Sequence, residues 1–513
     1  MIDVLIIGSG GAGLTTALKA KSMGANVLVV GKGSPTSSQT SMAQGGINAP
    51  LGNVGEDSVA LHIEDTLKSS KGIADRQMIE ILCKEAPDAI EWLESIGVPF
   101  SRTTDAKVAQ RRLGGASAKR ACYSQDYTGL KILHTLYDTC LKEGIEFLDY
   151  HYLLNLVTDA NIVKGVTLLD IVSGEIKQID AKSTVIATGG YSSLYHGFTT
   201  NAFGSTGDGI AVVARAGGEV SDMEFVQFHP TALKGSSILI SESARGEGGY
   251  LLNSRGERFV DELLPRDEVA RAISKQIDMG LDVFLDIRHL GEEKLLELLP
   301  QEIHLCRLHE GVDPISELIP IKSVAHYSMG GILVDRELRV EGLEGCFGVG
   351  ECSNARVHGA NRLGGNSLLE LIVFGRRVAK SAIEYATAIE YTQSSDTQLL
   401  RDKEQIESIY RYTNHINFYK SREYLGEEFY KKAGIVRNGS SLQTLLDTIN
   451  SIELEKMGIG DKSRESNRNL IDFLEFSNSL EIAKMVLEGA IAREESRGAH
   501  YREDFPDIGE EGL

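Results

Sequence analysis

The chain has 513 residues and a formal net charge of −20, with 42% apolar and 25% charged residues. At ~100–200 residues per domain this length gives about two to four domains with substantial cores, and the composition excludes extended disorder. The acidic balance excludes a nucleic-acid partner, which needs a basic face. Cys83, Cys122, Cys140, Cys306, Cys346 and Cys352 form no CxxC pair and no metal-ligand spacing, so they read as reduced, mostly buried thiols rather than a metal site.

In chain order, Val4-Leu5-Ile6-Ile7 runs into Gly8-Ser9-Gly10-Gly11-Ala12-Gly13 and then into a helical pattern through Leu14, Ala17 and Leu18. Strand, glycine turn and helix follow one another. Gly8 permits the tight turn, Gly10 lets the backbone approach a pyrophosphate, and Gly13 lets helix and strand pack closely, while the helix N-terminus supplies N–H groups to phosphates. A second strand is expected at Ala25 to Val30. The acidic residue that grips a ribose about 20 residues beyond such glycines is replaced by Gly31-Lys32, which argues against NAD. Met1 leads directly into the first strand and no apolar run approaches the ~20 residues that span a membrane. The expectation is therefore a cytoplasmic chain with no leader and no direct membrane insertion.

An amphipathic helix is expected around Met78 to Ile96 and a strand at Ser183 to Ala187. After about Pro230 the pattern changes to mixed strands and helices, including Ser237 to Ser241, Glu268 to Ile277 and Val283 to Ile287, and it returns near Gly330 to the nucleotide-binding part. Beyond about Ser394 the chain turns polar and helical. Leu470, Phe473, Leu474, Leu480, Ala483, Leu487, Ala490 and Ile491 fall mainly on one helical face, as packing on a core requires.

Against the acidic background stand five cationic motifs in glycine-rich, apolar settings: Phe228-His229-Pro230, Glu242-Ser243-Ala244-Arg245-Gly246-Glu247, Pro265-Arg266-Asp267, His326-Tyr327-Ser328-Met329-Gly330-Gly331 and His358-Gly359-Ala360-Asn361-Arg362. Such cations are poor candidates for solvated surface. Arginine offers a planar fork that matches a carboxylate, and histidine adds single directed donors, so the set suits a small substrate with two carboxylates.

Together these segments resemble the flavoprotein subunits of succinate dehydrogenases and fumarate reductases, and their relative L-aspartate oxidase. The resemblance covers nearly the whole chain. It includes Ala43-Gln44-Gly45-Gly46-Ile47, Arg112-Leu113-Gly114-Gly115, Ala187-Thr188-Gly189-Gly190, Thr206-Gly207-Asp208-Gly209, Gly350-Glu351-Cys352, Asn366-Ser367-Leu368-Leu369-Glu370 and Glu495-Ser496-Arg497-Gly498-Ala499-His500-Tyr501-Arg502. It implies an α/β fold: a discontinuous Rossmann-like FAD-binding domain (1–230 and 331–393), an inserted α+β capping domain (231–330) and a C-terminal helical domain (394–513). FAD is then assigned to Gly8, Gly10, Ala12 and Gly13 at the pyrophosphate, with Lys32, Ser38, Thr40, Gln44, Gly45, Gly46, Ala187, Asp208, Glu351, Ser367 and Leu368 around the rest. By the same resemblance, His229, Ser241, His326 and Arg362 bind a C4 dicarboxylate, Arg266 donates the proton, and Glu242 and Arg245 relay it from solvent.

One departure is at Ser38-Gln39-Thr40, where quinone-linked members usually carry a histidine bonded covalently to the flavin. Gln39 has no such nucleophile, so the resemblance implies noncovalent FAD of lower potential, better suited to reducing fumarate than to oxidising succinate. The same departure keeps L-aspartate oxidase as an alternative, and the motifs around Pro265 to Arg271 suit it. Ser328-Met329-Gly330-Gly331, Arg362-Leu363-Gly364-Gly365-Asn366 and the segment from Arg112 to Tyr137 read more like the reductase branch. A silent flavin carrier would be expected to lack Arg266 or Arg362, and both are present. With no cluster ligands of its own, a reductase of this sequence needs an iron–sulfur subunit as electron partner, which would hold it peripherally at a membrane.

Overall fold

The computed structural model describes residues 1–509. Strand Ile2–Ile7 is the centre of a parallel array, pairing on one side with Val27–Val30 and on the other with Ile176–Ile186. Glu146–Leu148 extends the array beyond Val27–Val30, and Cys346–Gly348 joins Ile176–Ile186, also in parallel. Val4, Leu5 and Ile6 are fully buried, with helices Gly11–Ser22 and Asn366–Ala388 packed against the strand, so it reads as an unbroken apolar run.

Helix Gly11–Ser22 follows the first strand after a turn in which Gly8 has φ +118°. A Cβ on Gly13 would lie 1.9 Å from the Gly8 carbonyl oxygen, so only glycine lets the helix start this close to the strand. The long helix Asn366–Ala388 packs against Gly11–Ser22 and closes the layer.

A second, antiparallel sheet has the order Val226–Leu233, Ile319–Ser328, Val283–Asp286, Tyr250–Asn253. Helix Arg266–Asp278 covers it, and Leu233, Ile240, Leu251, Val269, Ile273 and Leu285 belong to a core separate from the main one. The first strand of this sheet is buried at all eight positions and carries His229, while the strand beside it carries His326.

Three local expectations need correction. The segment Met78 to Ile96 is two helices, Arg76–Lys84 and Ala86–Ser95, broken at Glu85 because Pro87 lacks an N–H and suits only a first turn. Ser237 to Ser241 is a loop with one bridge, Ala232 to Leu239, and Ser237 has φ +62°. It cannot run on as a strand because the Ser241 side chain accepts the Ser243 N–H and caps the next helix. Helix Arg468–Ala492 is buried on more than one face, with Ile471, Phe476, Ile482 and Val486 buried in addition to the expected stripe. It packs against helices Gly439–Asn450, Phe418–Lys432 and Asp208–Arg215.

Gly13→Ala tests the strand-to-helix approach. The added methyl meets backbone, so the variant should lose about 1–3 kcal/mol of stability and most of its flavin content. An unchanged thermal midpoint with full flavin would show that the turn relaxes freely.

Candidate active site

One cavity of about 390 Å³ runs from the glycine turn to the second sheet. Of the residues assigned above, all but Gly13 and Arg245 line it. Gly13 acts through packing against Gly8, and Arg245 lies buried behind Glu242.

The glycine end tests whether FAD fits. Ser38 Oγ and Gln44 Oε1 line the cavity, are buried and have no hydrogen-bond partner among the described residues. Buried polar atoms of this kind call for a partner supplied from the cavity. The Gly11 N–H at the start of the helix already donates to Thr40 Oγ1 (3.1 Å). A Cβ on Gly8 would sit 2.1 Å from the Ala187 carbonyl, so the chain passes there with no room for a side chain. The glycine cradle, helix N-terminus and orphan side chains fit a dinucleotide pyrophosphate.

Lys32, where the ribose carboxylate was missed, has a different task. Its Nζ donates to Gly204 O (2.5 Å), Asp208 Oδ2 (2.7 Å) and Glu475 Oε1 (2.9 Å). An ammonium has three protons and all three are taken by protein acceptors, so Lys32 holds two carboxylates in place at the cavity wall. Asp208 Oδ1 also accepts from Tyr152 Oη and Asn478 Nδ2, both at 2.9 Å. Burial opposes ionisation of Asp208, but Lys32 and these donors outweigh it and hold the carboxyl below its ordinary value. Glu475 and Asn478 come from the C-terminal helix. No spacing linked them to the cavity, although a glutamate between Leu474 and Phe476 on an apolar helix was a visible signal.

The other end gathers the cations. Arg266 donates to Glu242 Oε2 through Nη2 (2.6 Å) and Nε (3.1 Å), and to Gln227 Oε1 through Nη1 (3.0 Å). Glu242 Oε1 accepts from the Gly114 N–H (3.1 Å) and from Arg245 Nη2 (3.4 Å), and Arg245 Nη1 donates to Glu262 O (2.6 Å). Arg266, Glu242 and Arg245 are therefore one continuous buried chain. Burial raises the Glu242 carboxyl, yet Arg266 and Arg245 prevail and keep it below the usual carboxylate value. Arg245 is lowered, by burial above all.

His229 and His326 face each other with ring centroids 4.8 Å apart. Burial first, and neighbouring positive or imidazole groups second, push both well below their ordinary value, so both are neutral at neutral pH. His229 Nδ1 lies 3.2 Å from Thr231 N and 2.9 Å from Thr231 O, and His326 Nδ1 lies 2.7 Å from Thr200 Oγ1. In each ring Nδ1 is held by protein and Nε2 is left for the cavity. Ser241 Oγ accepts from Ser243 N and donates to Ser243 Oγ, so its hydroxyl proton is engaged within the loop. Among the described residues Arg362 pairs with no carboxylate; Nη1 reaches Ser367 Oγ (3.2 Å), and burial, with Arg266 second, brings the group down to about 10. Burial raises Glu351, whose Oε1 accepts from Ser328 N and Oγ, to about 7. Gln227 went unnoticed in the sequence, although it stands two residues before His229 on one strand, which places both side chains on one face.

A dinucleotide cradle that ends against buried cations defines a flavin-dependent oxidoreductase for small anionic substrates. The family described as FAD binding domain matches residues 3–368, and that described as fumarate reductase flavoprotein C-term matches residues 422–511. The chain belongs to the FAD-binding family that includes the succinate dehydrogenase and fumarate reductase flavoprotein subunits. It is 40% identical to the 8-methylmenaquinol:fumarate reductase flavoprotein subunit of Wolinella succinogenes, over 98% of this chain and 86% of that relative. It is 38% identical to the succinate dehydrogenase flavoprotein subunit of Rickettsia bellii, over 98% of this chain and 90% of that one. A solved E. coli quinol fumarate reductase chain superposes with a TM-score of 0.95 at 34% identity, covering 99% of this chain and 92% of that chain.

Proposed function

We propose that this chain is the catalytic flavoprotein subunit of a fumarate reductase and interconverts fumarate and succinate. The observation that carries this reading is Arg362, a buried cation with no carboxylate partner, facing the same cavity as the paired imidazoles and Arg266. A dicarboxylate supplies the missing negative charge. The full-length relatives support the reductase and dehydrogenase reading over L-aspartate oxidase. The chain divides into an FAD-binding part (1–230 and 331–393), a capping part (231–330) and a helical part (394–513), and the separate core of the second sheet supports that division.

FAD, which Gly8, Gly10, Ser38 and Gln44 would hold at the glycine end, would supply the hydride chemistry. The protein's own part is to bind the two carboxylates and to deliver a proton to one alkene carbon. Arg362 and the Nε2 atoms of His229 and His326 hold the carboxylates, and Ser241 shapes the loop beside them. Fixed donors aimed at the oxygens where charge accumulates stabilise the transition state more than the ground state. Arg266 donates the proton from its guanidinium. The proton is replaced by relay: Arg245 gives one to the Glu242 carboxylate, Glu242 hands it to the neutral Arg266 guanidine whose Nε and Nη2 it grips, and solvent reprotonates Arg245. A guanidinium is a poor acid, so the proton Arg266 gives up has to be replaced at once through Glu242, which grips its Nε and Nη2.

Purified protein should reduce fumarate with a reduced viologen and should not turn over L-aspartate with oxygen; the opposite pattern overturns the reading. In the same assay Arg266→Ala should lower kcat by about 10²–10⁴-fold with flavin content retained. A mild loss would mark Arg266 as a structural ion-pair partner of Glu242.

Gln39 lines the cavity and its Oε1 accepts the Ala202 N–H (2.9 Å), and its amide offers no nucleophile to the flavin, so the FAD is noncovalent. Acid precipitation should leave all the flavin in the supernatant. Yellow protein pellets would reject this.

Among the described residues no group of His, Cys, Asp or Glu is arranged to hold a metal, and no helix is long and apolar enough to cross a membrane. The electrons arrive from an iron–sulfur subunit, through which the chain sits peripherally at a membrane. Isolation from its native source should recover the two chains together; recovery of an active chain with no iron-containing partner would contradict the assignment.

A further inference from the structure

Arg362 is held in an unusual way for a buried cation. Arg266 and Arg245 are each paired to Glu242, whereas Arg362 has no carboxylate and its Nε has no hydrogen-bond partner among the described residues. Its side-chain hydrogen bonds are two long ones from Nη1, to Ser367 Oγ (3.2 Å) and Leu363 O (3.4 Å). The substantial contact is with an aromatic face: the guanidinium carbon lies 4.3 Å from the ring centroid of Tyr327. That ring is itself fixed. Tyr327 Oη donates to Glu370 Oε2 (2.9 Å), and the same oxygen meets His358 Nε2 (2.8 Å), with the imidazole edge-on to the tyrosine at 5.4 Å.

We propose that Tyr327, anchored by Glu370 and His358, is a pedestal that positions Arg362 for the substrate carboxylate by a cation–π contact. This deepens the dicarboxylate reading and rests on it. The physical logic is one of availability. A carboxylate partner would neutralise Arg362 and occupy its fork of donors, so an incoming substrate would have to compete with it. A π face attracts the cation from one side through the ring quadrupole and accepts none of its in-plane hydrogen bonds. The hydrogen bond that Tyr327 Oη donates to Glu370 Oε2 shifts electron density onto the ring and strengthens that attraction. Tyr327, Glu370 and His358 are positioning residues, since they act through Arg362. They come from the strand Ile319–Ser328, the loop before Arg362 and the helix Asn366–Ala388, so three segments converge under one cation.

The test uses FAD-loaded protein and reads dicarboxylate binding from the perturbation of flavin absorbance by succinate and malonate. Tyr327→Leu should weaken binding about ten- to thirtyfold, with KM for fumarate rising and kcat much less affected. Tyr327→Phe, which keeps the face and loses the hydroxyl, should recover most of that affinity. Because Tyr327→Leu also removes packing, a second series replaces Tyr327 with phenylalanines of increasing ring fluorination. Shape is nearly constant in that series while the quadrupole weakens, so affinity should fall stepwise. A flat series, or Tyr327→Phe as weak as Tyr327→Leu, overturns the pedestal while leaving the dicarboxylate reading intact. Wild-type protein that binds neither succinate nor malonate overturns both.

Discussion

The carboxylate of Glu242 is the point on which the reactive end of the molecule is built. It is 2% exposed and is shared by Arg266 on one oxygen and by Arg245 and the Gly114 N–H on the other. Removing one partner from such a buried set leaves an uncompensated charge, at a cost of about 3–5 kcal/mol. The surrounding backbone has been stripped of side chains to admit it. A Cβ on Gly114 would lie 2.5 Å from Glu242 Oε1, and one on Gly364 would lie 2.4 Å from Oε2. Those glycines come from two distant stretches of chain, and Glu242 and Arg266 from the edge of the second sheet. A single ion-pair chain thus registers the capping sheet against the nucleotide-binding layer.

The two ends of the cavity use charge in opposite ways. At the glycine end Lys32 is surrounded by acceptors, and its protons are consumed in fixing Asp208 and Glu475. At the reactive end three arginines stand near one glutamate, which pairs with only Arg266 and Arg245, so positive charge is left over for a substrate. The neutral state of His229 and His326 follows from the same excess, since a buried imidazole beside guanidiniums holds its second proton poorly. The C-terminal helix belongs to the first arrangement. Glu475 lines the cavity and Asn478 holds Asp208 beside it, both from a helix buried on several sides, which makes that helix part of the cavity's frame as well as a packing element.

Periodicity and glycine spacing were enough to locate the first strand, the turn and the helix after it, because those features depend on neighbours within about twenty residues. They were weaker where tertiary contacts decide. The break at Glu85 was visible in Pro87 but outweighed by an apolar pattern that spans both helices. Helix Arg468–Ala492 looked one-sided because a hydrophobic stripe says which residues face a core, and cannot show that other helices cover the remaining sides.

For the site, residue type and motif picked out side chains that share one cavity: Gly8, Gly10, Gly45, Gly46, Arg266, Arg362, His229, His326 and Glu242 all line it. What only the tertiary structure decided was how each is used. Lys32 lies next to a dinucleotide turn in sequence, yet its protons are taken by residues 172 to 443 positions away. Arg362 and Arg266 are the same residue type on one cavity, yet one rests on an aromatic ring and the other on a carboxylate. Charge is a property of the residue, whereas its availability depends on the partners that long-range packing brings within 3 Å. No spacing rule along the chain encodes those partners.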